Sequence, residues 1–268
     1  MKLYKRAAAL VLTAATLLSL IPAVHAEGDH ITVSSVKDFY ALVQSCTRDV
    51  WSQGVTVELT ADLDLSGSDF QPIPIFQGTF HGNGHTIRGI TYDHKGSTLG
   101  LFRTLTESAV VEGLCVEGLL EPQGSASQLG LLAGENYGAI RSCSAKGTVS
   151  GQEDVGGLVG VNGETGRIEG SSSQVQISGV TNVGGIAGQN LGTLDRCINT
   201  GALNSDPDQE IPTSVGGVAG LSRGTIQSCS NSGEIGYQHL GYNVGGIVGL
   251  QSGSVLQCSN TGQVWGRK

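Results

Sequence analysis

The sequence predicts an all-β solenoid, a column of short parallel strands coiled one above the next, and three observations lead to it. The first is a six-residue phrase that recurs along the chain. It stands as Leu99-Gly-Leu-Phe102 in reduced form, then as Leu129-Gly-Leu-Leu-Ala-Gly134, Val155-Gly-Gly-Leu-Val-Gly160, Val183-Gly-Gly-Ile-Ala-Gly188, Val215-Gly-Gly-Val-Ala-Gly220 and Val244-Gly-Gly-Ile-Val-Gly249. Successive starts lie 30, 26, 28, 32 and 29 residues apart. That is too short for a propeller blade, and the leucine-rich repeat signature is missing.

The second observation is the phase pattern that follows each phrase. A small polar residue comes at one offset, as Asn136, Asn162, Asn190, Ser222 and Gln251. A glycine follows, then an aliphatic two residues beyond it, at Ile140, Ile168, Leu194, Ile226 and Val255. Three residues later stand Cys143, Ser171, Cys197, Cys229 and Cys258, and six beyond those Val149, Ile177, Leu203, Ile235 and Val264. Short aliphatic stretches broken by glycine read as brief strands joined by tight corners. Parallel strands about 4.8 Å apart bring residues of equal phase into vertical rows. The Asn136, Asn162 and Asn190 row is expected to bond side chain to side chain and to satisfy turn amides.

The third observation is composition. With 42 glycines, one methionine, 5% aromatic and 14% charged residues, the chain lacks the makings of an ordinary α/β core. Its 38% apolar content fills a thin column of Val, Ile, Leu and Ala.

Residues 1–26 read as a signal peptide. Lys2, Lys5 and Arg6 precede the apolar run Ala7 to Ile21, and Pro22-Ala-Val-His-Ala26 ends in small residues suited to signal peptidase. The mature chain is then expected to be secreted or cell-surface associated. No second apolar stretch of about 20 residues offers a transmembrane segment. Removing the leader leaves 12 basic against 23 acidic residues, a net charge of −11, which excludes nucleic acid as a partner.

Residues 27–98 are expected to form an N-terminal cap and the first coils. Ser34-Ser35 followed by Val36, Phe39, Tyr40, Leu42, Val43 and Cys46 predicts a short helix that covers the open end of the column. Strands are predicted at Val55 to Leu59, Asp62 to Leu65 and His85 to Ile90. Residues 99–268 carry the repeat coils. The other end, at Val264-Trp265-Gly-Arg-Lys268, has no capping helix in its sequence, so self-association through an uncapped edge is one expectation.

The phrases Val155-Gly-Gly-Leu-Val-Gly-Val-Asn162 and Val183-Gly-Gly-Ile-Ala-Gly-Gln-Asn190, with Ala61-Asp-Leu-Asp-Leu65 and Phe76-Gln-Gly-Thr-Phe-His-Gly-Asn-Gly-His-Thr-Ile87 ahead of them, resemble the GLUG-motif proteins of bacterial cell surfaces. The resemblance covers about residues 55–268. It implies a right-handed parallel β-helix of the pectin-lyase-like kind, and a setting among large secreted, adhesin-like or peptidase-associated proteins. It transfers no catalytic residue. His81 stands where the lead-in has an acidic residue, and Ser171 replaces one cysteine.

Candidate functional residues fall where coil length varies, between the last aliphatic of one coil and the first of the next. The longest such stretch holds Asp206, Asp208 and Glu210, and the one before the last coil holds Tyr237, His239 and Tyr242. Exposed aromatics offer flat faces to sugar rings, and loop carboxylates suit Ca²⁺ or acid–base work, although the GGxGxD phrase of calcium-binding solenoids is absent. Cys143, Cys197, Cys229 and Cys258 share one phase; they form either a row of buried thiols or, between stacked neighbours, a disulfide. No cysteine–histidine spacing suits a metal, and His81 and His85 sit in a turn. No cofactor is expected. Two functions follow: a non-enzymatic binding, adhesion or structural module with a surface glycan or extracellular protein as partner, and, alternatively, a polysaccharide-active enzyme using outer-face residues such as Glu169, Asp195, Arg196, Arg223 and Glu234.

Overall fold

The computed structural model describes residues 29–204, 213–236 and 242–265. They form a parallel β-solenoid of about eight turns, with one short helix among the described residues. A full coil has four strands and four corners. One coil runs through Glu153–Gly156, Val159–Asn162, Arg167–Glu169 and Ser172–Ser178, which lie on faces 1, 2, 3 and 4. Among the described residues every inter-coil pairing is parallel, and face 1 stacks five strands, face 2 seven, face 3 nine and face 4 eight.

The recurring phrase builds the corner between faces 1 and 2. Val155 and Gly156 end one strand, Gly157 and Leu158 turn the chain, and Val159 and Gly160 open the next. Glycine is required there by close approach. A Cβ on Gly185 would overlap the Gly217 carbonyl oxygen and the Asn199 side chain across the core, and one on Gly188 would overlap the backbone of Asp154 in the coil below.

Val155, Val183 and Val215 stack in register on face 1, and Ile140, Ile168, Leu194 and Ile226 on face 3. All seven are fully buried. Early coils are filled differently, by the edge-on rings of Phe76, Phe80 and Phe102. Later coils place the smaller Ala187 and Ala219 in the row that holds Phe102.

The helix spans Val36–Ser45. Ser35 caps it by accepting from the Asp38 amide, while the Asp38 carboxylate accepts from the Ser34 amide and from both serine hydroxyls. Phe39, Leu42 and Val43 face the first coils. The strand His30–Val33 pairs with Thr56–Leu59 and begins face 3. The predicted strands at Asp62 to Leu65 and His85 to Ile90 are Leu63–Asp64 and Thr86–Tyr92, paired on face 4. Among the described residues no helix is long and apolar enough to cross a membrane. Residues 1–26, expected to be a signal peptide, lie outside the described residues.

Candidate functional site

Two polar columns run inside the solenoid. On face 2, Asn136 Nδ2 donates to Asn162 Oδ1 at 2.8 Å, Asn162 Nδ2 to Asn190 Oδ1 at 2.8 Å, and Asn190 Nδ2 to Ser222 Oγ at 3.1 Å. Asn136 also clasps its own corner, accepting from the Gly138 amide at 3.2 Å. All four residues are fully buried.

A second column on face 4 received no expectation from the sequence. Asn199 Nδ2 donates to Asn231 Oδ1 and Asn231 Nδ2 to Asn260 Oδ1, each at 2.7 Å. Its signal is the phrase Cys197-Ile-Asn-Thr-Gly201, repeated as Cys229-Ser-Asn-Ser-Gly233 and Cys258-Ser-Asn-Thr-Gly262. In each, the asparagine side chain bonds the glycine two residues on. The second glycine of the recurring phrase leaves room for it across the core. These interior columns fix the register of the coils and leave the outside free to vary.

The four row cysteines stand at the corner between faces 3 and 4. All six cysteines of the chain are free thiols. Burial pushes Cys46 and Cys143 up to about 12, so both are held as neutral, unreactive thiols. Cys115 lies beside the corner position, which Leu114 fills.

Charged residues stack on the outside of face 3. Glu58, His81 and Glu112 are register partners. His81 Nδ1 lies 2.8 Å from Glu112, and its Nε2 lies 3.8 Å from Glu58. Further along, Glu169 pairs with Asp195 in register. Arg141 Nε lies 3.8 Å from Glu169, and Arg196 contacts Asp195 directly. The Asp195 Oδ1 atom is buried without a hydrogen-bond partner. Glu234 is elsewhere, accepting from Trp265 Nε1 at 2.8 Å. The structure thus brings Glu169, Asp195 and Arg196 together and leaves Glu234 apart. Among the described residues no group of three or more His, Cys, Asp or Glu is placed to hold a metal ion.

Coil length varies most at the edge between face 4 and face 1, with two extra residues between Asn162 and Gly166 at the corner between faces 2 and 3. Leu203, Ile235 and Val264 form successive bridges at the end of face 4, and Thr213 pairs with Tyr242 at the start of face 1. The described residues that flank 205–212 and 237–241 therefore stand at matching points, one coil apart. Asp206, Asp208, Glu210, Tyr237 and His239 lie outside the described residues. Tyr242 is described, is 53% exposed and opens the strand Tyr242–Gly245. The last described residue before 205–212 is braced. Asn204, buried and in the left-handed region at φ 48°, accepts from the Gly179 amide at 2.8 Å and donates to its carbonyl at 3.0 Å.

The same edge carries polar side chains on lower coils. Asn182 Nδ2 donates to Asp154 Oδ1 at 2.9 Å, and burial raises the Asp154 carboxyl above its usual range, helped by Glu153 and opposed by the Asn182 bond. Nearer the cap, Tyr92 packs edge-on against His94. Each coil turns this corner on a residue with positive φ. These are Thr98, Gln128, Asp154, Asn182, Ser214 and Asn243, none of them glycine, with φ between 52° and 61°. Side chains are thus presented in a fixed vertical file where a glycine would present none.

The family model of the GLUG motif matches residues 125–150 and 151–178. Each match covers one complete four-strand coil, so these two adjacent coils carry one copy of the motif each. Halomucin of Haloquadratum walsbyi is 33% identical over 145 residues, covering 48% of this chain and 2% of halomucin. A protein of Evansella cellulosilytica provisionally described as a Gly-rich membrane protein is 33% identical over 96 residues, covering 34% of this chain and 11% of its own length. The chain thus spans only a small part of either relative. Among solved structures, a Bacteroides ovatus protein provisionally described as an immunoglobulin A1 protease superposes with a TM-score of 0.58 at 19% identity, over 85% of this chain and 74% of that one. At that identity the likeness is one of fold.

Proposed function

We propose that this chain is a non-enzymatic binding solenoid of an exported, surface-associated protein. Its partner is a surface glycan or extracellular protein, held along the edge between faces 4 and 1. The observation that carries the reading is the division of labour between repeat and edge. Every feature that recurs, the glycine corners, the aliphatic rows and both asparagine columns, is used in stacking coils. The residues that vary in number, Asp206, Asp208, Glu210, Tyr237 and His239, fall in sequence between the last row of face 4 and the first strand position of face 1 on neighbouring coils, and Tyr242 stands at that strand position. Aromatic rings there supply apolar faces for sugar rings, and the carboxylates supply acceptors for sugar hydroxyls. The net negative charge of the chain disfavours anionic polymers and favours neutral or basic ones. That one relative is described as a membrane protein supports the surface setting.

The enzymatic alternative draws on the stacked pair Glu169 and Asp195. Each has an arginine within ion-pair distance. Incubation of the purified chain with a panel of neutral, basic and acidic polysaccharides separates the readings. Retention on a neutral or basic polymer without release of reducing ends is expected, and Tyr242→Ala should weaken it about tenfold, the loss of one ring contact. Release of reducing ends or unsaturated sugars would overturn the proposal in favour of the enzyme.

A further inference from the structure

Three sulfurs stand one above another on consecutive coils. The Ser230 amide donates to the Cys197 carbonyl at 2.9 Å and the Ser259 amide to the Cys229 carbonyl at 3.0 Å, so Cys197, Cys229 and Cys258 sit at matched points of the corner between faces 3 and 4. Stacking at about 4.8 Å falls inside the Cα separation that a disulfide spans, roughly 4.4–6.8 Å. The sulfurs lean toward the preceding coil. Cys197 Sγ lies 3.4 Å from the Ile168 carbonyl oxygen, Cys258 Sγ lies 3.7 Å from that of Ile226, and Cys229 Sγ accepts from the Cys197 amide at 3.3 Å. The row is interrupted below, because Cys143 has Ser171 as its upper neighbour, whose hydroxyl accepts from the Cys143 amide at 3.1 Å. Access separates the three that remain. Cys197 and Cys229 are buried, while Cys258 is partly exposed.

We propose that Cys258 and Cys229 are a thiol pair that closes an inter-coil disulfide by exchange with a small dissolved disulfide. The Cys258 thiolate attacks one sulfur of the small disulfide, such as oxidised glutathione. A mixed disulfide forms and one glutathione thiolate leaves, taking up a proton. Cys229, its proton lost to solvent, then attacks the Cys258 sulfur and displaces the second glutathione thiolate. Two protein thiols are oxidised and one glutathione disulfide is reduced to two thiols. The thiol of Cys197 and then its amide donate to the Cys229 sulfur, which lowers the Cys229 pKa and favours the second attack. The same donation raises Cys197 and withholds it from reaction. The link ties the coil that begins at Tyr242 to the coil beneath it.

The test incubates the full chain with a mixture of oxidised and reduced glutathione, blocks remaining thiols and maps peptides without reduction. Trypsin cuts after Arg196 and Arg223 and so separates Cys197 from the other two. Cleavage after Glu234 then separates Cys229 from Cys258. The expected result is a loss of about 2 Da with the Cys229 and Cys258 peptides joined. Cys258→Ser should abolish the link, and Cys197→Ser should keep it but slow its formation. Wild-type chain carrying only a glutathione adduct on Cys258, a Cys197–Cys229 link, or six free thiols would each overturn the proposal, whatever the variants do.

Discussion

Asn162 shows most clearly what a single residue does in this column. Its side chain accepts from Asn136 and donates to Asn190, so truncation leaves a donor on the coil below and an acceptor on the coil above without partners in a dry interior. Asn162→Ala should cost about 2–4 kcal/mol, one to two unsatisfied buried groups, read from the urea midpoint at unchanged slope. A cost near zero would mean that the columns are decoration. Glycine gives a matched pair of tests. Gly185→Ala places a Cβ against backbone of the coil above, so it should destabilise by more than 3 kcal/mol or prevent folding. Gly67→Ala meets no neighbouring atom but sits at φ +76°, so its cost should be that of backbone strain alone, about 1 kcal/mol. Equal effects at the two sites would contradict the packing argument. The residues of the corner at Thr98, Gln128, Asp154, Asn182, Ser214 and Asn243 share a backbone conformation but no chemistry, so no sequence pattern announces them. The Asn199, Asn231 and Asn260 column stands at one phase, two residues after each row cysteine.

Among the elements, the capping helix is the most exposed to local change. Ser35→Ala removes its N-cap and should lower the stability of the N-terminal end by about 1 kcal/mol. Acid should act on the same region. Hydrogen bonds from Ser35 and Ser34 lower the Asp38 pKa, the Thr86 amide and then His85 lower Asp62, and the Ser66 hydroxyl and amide with Arg88 bring Asp64 to about 2. Carboxyls lowered in the folded state add stability above their unfolded pKa, and that stability is lost as pH falls from about 4 to about 2. Amide exchange compared at pH 5 and pH 2.5 should therefore show the helix and the strands before Tyr92 opening ahead of the central coils. Uniform opening would count against it. The helix was legible because its apolar spacing is helical and its cap residues stand in sequence. The strands were legible because their aliphatics repeat at fixed phase. What sequence alone did not order was the outside of face 3. There Glu58, His81 and Glu112 meet only because coils of unequal length bring them to one height.

At the scale of the molecule, stability is a sum over neighbouring coils, so a whole coil is removable. Ser150 and Ser178 are register partners, and deletion of residues 151–178 joins equivalent points of adjacent coils. The shortened chain should keep a β-dominated circular dichroism spectrum and unfold over a broader range, whereas deletion of 151–164 should destroy the fold because it mismatches every row above. The proposed function likewise divides the whole molecule into a common interior scaffold and one binding edge. The most direct measurement exploits the register at that edge. Thr181 pairs with Thr213, and the lower coil crosses the same gap with only Gly179 and Val180. Replacing residues 205–212 by Gly-Val should leave the circular dichroism spectrum and urea midpoint unchanged while removing retention on the polysaccharide that the wild-type chain binds. Retention at wild-type strength by this variant, with its spectrum intact, would contradict the account and move the site to the faces.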